Sequence, residues 1–416
     1  MQQIDRACAS PGRIDEAWRQ VRAATLRLVD DLAAEDTVAQ SMPECSPAKW
    51  HLAHTTWFFE QFVLARDARY RFFNEDWLFL FNSYYQSVGP MHARPQRGLL
   101  TRPTLAEVLA YRACIDARMD ELLAQEVDAE RDALVTLGLN HEQQHQELLL
   151  TDIKHLFSLN PLQPVYRDLP IPDASVHTSL EFIAGAEGII EIGHAGADFA
   201  FDCETPRHRS LLQAHALANR PVSNAEFAEF IRDGGYRTPT LWMSEGWNSV
   251  CQRGWAHPLY WNDTLDAEFS LGGLRAIDAH APVSHISFFE ADAFARWAGA
   301  RLPTEAEWEA AAADQPLRGN FLESDLLQPQ GGNGNGLRQL FGDVWEWTAS
   351  AYRPYPGFAP LEGSLGEYNG KFMSGQMVLR GGCCATPEEH IRASYRNFFY
   401  PHMRWQFAGL RLATEA

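Results

Sequence analysis

The sequence predicts an α + (α+β) chain. A four-helix bundle spans residues 1–160, a linker 161–178, and a loop-rich α+β domain 179–416. Three observations carry this reading. The first 160 residues hold four helical segments of similar length, several with start signals. Pro161, Pro164, Pro170 and Pro172 then stop helical structure. Beyond them helical periodicity fades into short apolar runs, glycines and tryptophans, with nine of the thirteen Trp after residue 240.

The elements follow in order. Ile14 to Glu35 is amphipathic. Ser46-Pro47 reads as an N-cap followed by proline at N1, opening a helix to about Arg66. Residues 72–103 form a long aromatic, Arg- and Pro-rich connection, a length that usually serves function. Thr104 caps a third helix to about Gln125, and Ala129 to Leu159 is the fourth. Short helices are expected over Ser223–Asp233, Ser287–Ala298 and Thr304–Ala312, the last with Thr304 and Glu307 as a capping box.

Composition excludes some partners. With 35 basic and 54 acidic residues the formal charge is −19, which disfavours nucleic acid and anionic membranes. Met1 to Gly12 has no signal-peptide form, and no apolar run reaches membrane-span length. Seven cysteines without a CxxC pattern fit a reducing cytoplasm, and the vicinal Cys383 and Cys384 read as buried thiols.

The chemistry begins at His141-Glu142-Gln143-Gln144-His145 in the fourth helix. Histidines four apart share one helix face, so both imidazoles can reach one metal ion. Leu134, Leu137 and Leu148 run along that face and turn the pair toward a core. The same residues spell the His-Glu-x-x-His pattern of zinc hydrolases. The metzincin third ligand would fall at 151, where Thr151 stands. Glu147 lies about 240° around the helix from His141, off the shared face. A third ligand must come from another element.

Several blocks carry a family resemblance. Trp50-His51-Leu52-Ala53-His54, Phe81-Asn82-Ser83-Tyr84-Tyr85 and His141 to Glu147 resemble the DinB-like bundle of the ergothioneine sulfoxide synthases. Arg301-Leu302-Pro303-Thr304-Glu305, Phe341-Gly342-Asp343-Val344-Trp345-Glu346-Trp347, Leu379-Arg380-Gly381-Gly382 and Ala408-Gly409-Leu410-Arg411-Leu412 resemble the formylglycine-generating-enzyme domain, which has a C-type-lectin-like fold.

The resemblance implies a non-haem Fe(II), O2-dependent enzyme. It would join a thiol sulfur to imidazole C2 of hercynine, the trimethylated betaine of histidine, and leave a sulfoxide. His141 and His145 match two iron ligands and His54 the third. Helix geometry alone does not choose between His51 and His54, about 60° apart on one helix. Tyr84 and Tyr85 match an active-site pair, one of which can act as a general acid. Gln144, Asn397, Phe398 and Phe399 match the residues that hold hercynine, whose ammonium needs aromatic faces. Arg94 and Arg97 match those that bind the donor's carboxylate, a task suited to guanidinium forks. The small-molecule substrates would be hercynine, O2 and a thiol, either cysteine or γ-glutamylcysteine.

Cys383 stands where the resemblance leads one to expect serine, and Phe372 to Gln376 is also atypical. These departures leave a related selenoneine synthase, with a selenosugar donor, as the alternative. Remoter readings are a zinc metallohydrolase and a non-catalytic binding module.

Overall fold

The structure is a computed structural model that describes residues 13–415, so the stretch Met1–Gly12 lies outside it. Two compact units divide the chain. The first runs to Asn160 and takes in two later segments, 196–201 and 360–368; the second holds the remainder.

In the first unit the helices are α1 (Arg13–Arg27), α2 (Ala48–Phe62), α3 (Glu75–Phe81), α4 (Leu105–Leu123) and α5 (Ala129–Ser158). Helix α2 packs against α4 and α5, and α1 packs against α5. Helix α1 ends before the expected Glu35. Local side-chain bonds take over there: Ala33 N–H donates to Asp36 and the Thr37 hydroxyl to the Ala34 carbonyl. Ser46 does not cap α2 either. Pro47 occupies the N-cap in an extended conformation, while the Ser46 N–H donates to Asp152 and its hydroxyl oxygen accepts from Arg97. Thr104 and Glu107 form the full reciprocal box on α4, and Asp128 caps α5. The long 72–103 connection is partly ordered by α3 and a 3-10 turn over Arg94–Leu99.

One glycine brings α2 and α5 together. A Cβ at Gly138 would sit 2.4 Å from the Phe59 ring, so only glycine permits this approach one turn before His141. The buried side of α5 carries Val135, Leu139, Leu149, Leu150 and Ile153. The expected stripe of Leu134, Leu137 and Leu148 is only half-buried, because the close α2 contact draws neighbouring positions inward instead.

The second unit carries β1 (Phe182–Ala184), β2 (Gly188–Ile192), β3 (His208–Leu212), β4 (His215–Ala218), β5 (Ala267–Ser270), β6 (Gly273–Ala276), β7 (Trp345–Ala351), β8 (Met377–Arg380), β9 (Asn397–Phe399), β10 (Ala408–Leu410) and β11 (Ala413–Glu415). A four-stranded sheet is ordered β10-β7-β8-β9, a three-stranded one β1-β4-β11, and β2/β3 and β5/β6 are two-stranded. Helices α6 (Asn224–Arg232), α8 (Phe288–Trp297) and α9 (Glu305–Ala312) start at the capping boxes of Ser223, Ser287 and Thr304. Helix α7 (Ser244–Arg253) was not expected from sequence; it ends at Gly254, whose φ of 65° suits a glycine C-cap. Trp308, Trp345 and Trp347 are buried at the centre. Buried arginines are paired: Arg411 with Glu346, and Arg380 with Glu305 and Glu309. Cys383 and Cys384 are fully buried, and Thr386 donates to the Cys383 sulfur. Residues 161–178 pack as part of this unit, with Tyr166 bonded to Leu271 and Arg275 holding the Leu169 and Pro170 carbonyls.

Candidate metal centre and substrate-holding residues

Helices α2 and α5 run antiparallel and bring their histidines face to face. His54 meets His141 and His51 meets His145, one turn apart on each helix. One ligand nitrogen from each of His54, His141 and His145 can be chosen so that all three lie within 4.8 Å of one another. His51, equally available by helix geometry, stands behind His145 instead: its Nδ1 is 2.8 Å from the His145 Nδ1.

The donor set fits a metal ion. His54 Nδ1–H donates to the Phe81 carbonyl at 2.6 Å, which fixes the tautomer and leaves Nε2 bare. That bare nitrogen lies 3.2 Å from the His141 Nε2. Two imidazoles bound at about 2.1 Å to one ion, about 100° apart, place their nitrogens at about this separation. His141 Nδ1 has no hydrogen-bond partner among the described residues. Desolvation, the largest cause, holds all three imidazoles neutral at pH 7: His141 falls to about 4, and His54 and His145 well below their ordinary range, pushed further chiefly by His141. Neutral imidazole is the ligand form.

The glutamate of the His-Glu-x-x-His pattern is not a water-activating base. Glu142 is fully buried, and its oxygens accept from Arg22 at 2.8 Å, Arg112 at 2.5 Å and Thr25 at 2.6 Å. Burial alone would raise its pKa; the two guanidiniums outweigh that and hold it at about 2. It is a structural anion, which removes the hydrolase reading's key group.

An aromatic and cationic stack backs the cluster. The Trp50 indole lies on His54 at 4.5 Å between centroids, and the Arg97 guanidinium lies over Trp50 at 3.3 Å. Arg97 is buried and donates to Ser46 and Ser83. Arg94 donates to the Tyr84 hydroxyl at 2.6 Å. Among the described residues neither arginine has a carboxylate within ion-pair distance, and the Nε–H of each is buried without an acceptor.

Tyr84 and Tyr85 differ. Tyr85 is buried against Trp57 and Phe62, whereas Tyr84 is half-buried with φ of 71°. Such a backbone costs about 1–3 kcal/mol for a non-glycine residue and persists only where its surroundings enforce it. The enforcing groups are Asn82, which donates to three loop carbonyls, and Glu367, which accepts from the Gln86 and Ser87 N–H groups at 3.0 and 2.9 Å. The 360–368 segment also brings the Tyr368 ring against Tyr84. Sequence reasoning missed Tyr368 and Glu367, because nothing local marks a segment that packs some 280 residues away from its neighbours.

Gln144 is half-buried on α5, one residue before His145. In the second unit Asn397, Phe398 and Phe399 form the edge strand β9 rather than a loop. Phe398 is stacked on Tyr352 at 4.1 Å and flanked by Phe372. Phe399 meets only Trp405, edge-on, among the described residues. The Phe398 ring is therefore engaged in stacking, whereas Phe399 has an edge-on ring contact instead.

A histidine-lined helical bundle joined to an irregular sheet domain defines a class: a DinB-like bundle with a formylglycine-generating-enzyme-type, C-type-lectin-like domain. Residues 17–149 match the DinB superfamily, and residues 172–333 and 320–416 match the sulfatase-modifying factor enzyme 1-like domain. The chain is 34% identical to a hercynine oxygenase of Mycolicibacterium thermoresistibile, over 98% of this chain and 96% of that one. It is 32% identical to a hercynine oxygenase of Mycobacterium tuberculosis, over 98% and 99%. A formylglycine-generating enzyme of the same organism is 30% identical over 38% of this chain and 70% of its own length. The chain belongs to the hercynine oxygenase family, a family of oxygenase enzymes. Among the described residues no helix is long and apolar enough to cross a membrane.

Proposed function

We propose that this protein is an Fe(II)- and O2-dependent enzyme that couples hercynine to a carboxylate-bearing thiol, cysteine or γ-glutamylcysteine. The reaction balances as hercynine C2–H plus R–S–H plus O2 giving the C2–S(=O)–R sulfoxide and water. Both substrates are oxidised, O2 is reduced, and the two hydrogens leave in the water. The observation that carries the reading is a three-imidazole cluster without a carboxylate, in a unit that also holds a buried guanidinium, Arg97, and a half-buried one, Arg94, both lacking an acid partner. Iron held by His54, His141 and His145 would supply the dioxygen chemistry, with positions left for exogenous ligands.

The chain's own groups do the rest. Arg94 and Arg97 receive the donor carboxylate, satisfying donors that are otherwise unmatched. Tyr84, held at its hydroxyl oxygen by Arg94, gives the proton; Tyr85, packed on Trp57 and Phe62, anchors the loop beside it. Gln144 in the first unit is the candidate polar contact for hercynine; in the second, Asn397 is a further polar candidate and Phe399 the candidate face for a trimethylammonium. Seven cysteines without a CxxC pattern support a reducing cytoplasm as the site of action.

The test is a competition among cysteine, γ-glutamylcysteine and a selenosugar, with hercynine, Fe(II) and O2, read by mass spectrometry. Preference for a thiol is expected; a more than tenfold preference for the selenosugar moves the chain to selenoneine formation. Arg97→Lys keeps the charge and loses the fork, so thiol KM should rise about 30-fold or more while hercynine affinity holds, taking the lower end of about 2 kcal/mol for a carboxylate deprived of its partner. An unchanged KM counts against the carboxylate site. Phe399→Leu should weaken hercynine binding about 5- to 30-fold, the loss of one desolvated cation–π contact of about 1–2 kcal/mol. Calorimetry that finds histidine bound as tightly as hercynine would contradict that role.

A further inference from the structure

We propose that His51 and Asp152 are positioning residues that set the tautomer and donor strength of His145 toward the metal. The inference rests on the metal reading above and extends it to side chains that do not touch the ion.

The placement follows from helix geometry. His145 and Asp152 are seven apart on α5, two turns, and so fall on one stripe about 10 Å apart along the axis. An imidazole spans that gap. His51, projecting from α2, lies between them with Nδ1 2.8 Å from the His145 Nδ1 and Nε2 3.1 Å from the Asp152 Oδ2. His51 and Asp152 are buried, 2% and 6% exposed, so no solvent competes for these bonds. Asp152 is itself fixed, since the same oxygen accepts the Ser46 N–H at 2.7 Å.

Each proton position is then determined in turn. The Asp152 carboxylate only accepts, so His51 carries its hydrogen on Nε2 and donates it there. His51 Nδ1 is left with a lone pair. His145 must therefore carry its hydrogen on Nδ1, donating to His51, and its Nε2 is bare for the metal. A chain of hydrogen bonds ending in a full negative charge polarises each member toward the next. His145 is thus backed by an anion through one intervening imidazole. The other two ligands are not: His54 is backed by the neutral Phe81 carbonyl, and His141 Nδ1 has no partner among the described residues. The three ligands are unequal donors, with His145 the strongest. A histidine that merely filled space would not need both nitrogens engaged in this order.

The experiment compares the full-length wild type with His51→Phe, His51→Asn and Asp152→Asn. It reads Fe(II) affinity by chelator competition, the Fe(III)/Fe(II) potential, and thermal unfolding of the metal-free proteins. His51→Phe removes both bonds and should lower Fe(II) affinity about 10- to 100-fold, as loss of outer-sphere partners typically does. His51→Asn can still accept from His145 and should recover part of that affinity. Asp152→Asn keeps an acceptor for Ser46 and His51 while deleting the charge; it guards against a folding defect in the phenylalanine variant. The potential should rise in both His51→Phe and Asp152→Asn, because a weaker His145 donor disfavours Fe(III) more than Fe(II). Wild-type affinity and potential in folded Asp152→Asn and His51→Phe overturn the relay while leaving the metal site standing. Failure of the wild type to take up Fe(II) overturns the metal reading itself, and the relay with it.

Discussion

Alanine at His54, His141 or His145 should each abolish iron retention and turnover. Replacement of an outer-sphere partner typically costs about 10- to 100-fold in metal affinity, and loss of one of three ligands should exceed that. The three ligand nitrogens lie within 4.8 Å of one another and no carboxylate belongs to the cluster, so no acid can take over, and His51 is engaged with His145 and Asp152. Metal analysis after desalting, beside circular dichroism of each variant, separates ligand loss from unfolding. A variant that keeps stoichiometric iron and wild-type turnover would remove that histidine from the ligand set. Glu147 provides the control, because the account gives it no bond to the metal.

Glu142→Ala should destabilise the helical unit by about 3–5 kcal/mol, because it leaves Arg22 and Arg112 buried without their shared acid. Against a typical total stability of about 5–15 kcal/mol that is severe. Urea unfolding measures it. The same carboxylate gives a pH signature. Its folded pKa of about 2 lies below the ordinary glutamate value of 4.5, so its contribution is complete above about 4.5 and is lost as pH falls toward 2. The hydrolase reading of His-Glu-x-x-His predicts the reverse pattern: lost catalysis with stability nearly intact. A Glu142 variant of wild-type stability and no activity would therefore favour that rejected reading.

The features legible in the sequence were those set by neighbours in the chain. Ser223, Ser287 and Thr304 each stand three before a glutamate, and each opens a helix. The spacing of His141 and His145 told of a shared face before any partner was known. The third ligand was different. His51 and His54 lie on adjoining sides of α2, and only α5, nearly 90 residues on, decides which of them joins the triad. Resemblance supplied His54; in the structure His54 faces His141, while His51 is engaged with His145 and Asp152.

Long-range electrostatics were equally invisible. Arg22, Arg112 and Glu142 each look like solvated helix residues until three helices bring them together. Ser46 looked like a cap and instead serves Asp152 and Arg97. Phe398 and Phe399 are identical in sequence terms, yet Tyr352 stacks on one and leaves the other. In every such case the deciding contact lies far away in sequence, where local pattern carries no information.

The central claim is that dioxygen oxidises the coupled substrates at the three-histidine site. Its most direct test is a turnover with hercynine and the preferred thiol under isotopically heavy O2, with iron-loaded protein, followed by mass spectrometry of the product. The account predicts one C–S coupled product carrying the heavy isotope in its sulfoxide oxygen, with none formed without O2 or by the His141→Ala protein. Coupling that proceeds unchanged under anaerobic conditions, or a sulfoxide that takes its oxygen from water, would contradict it.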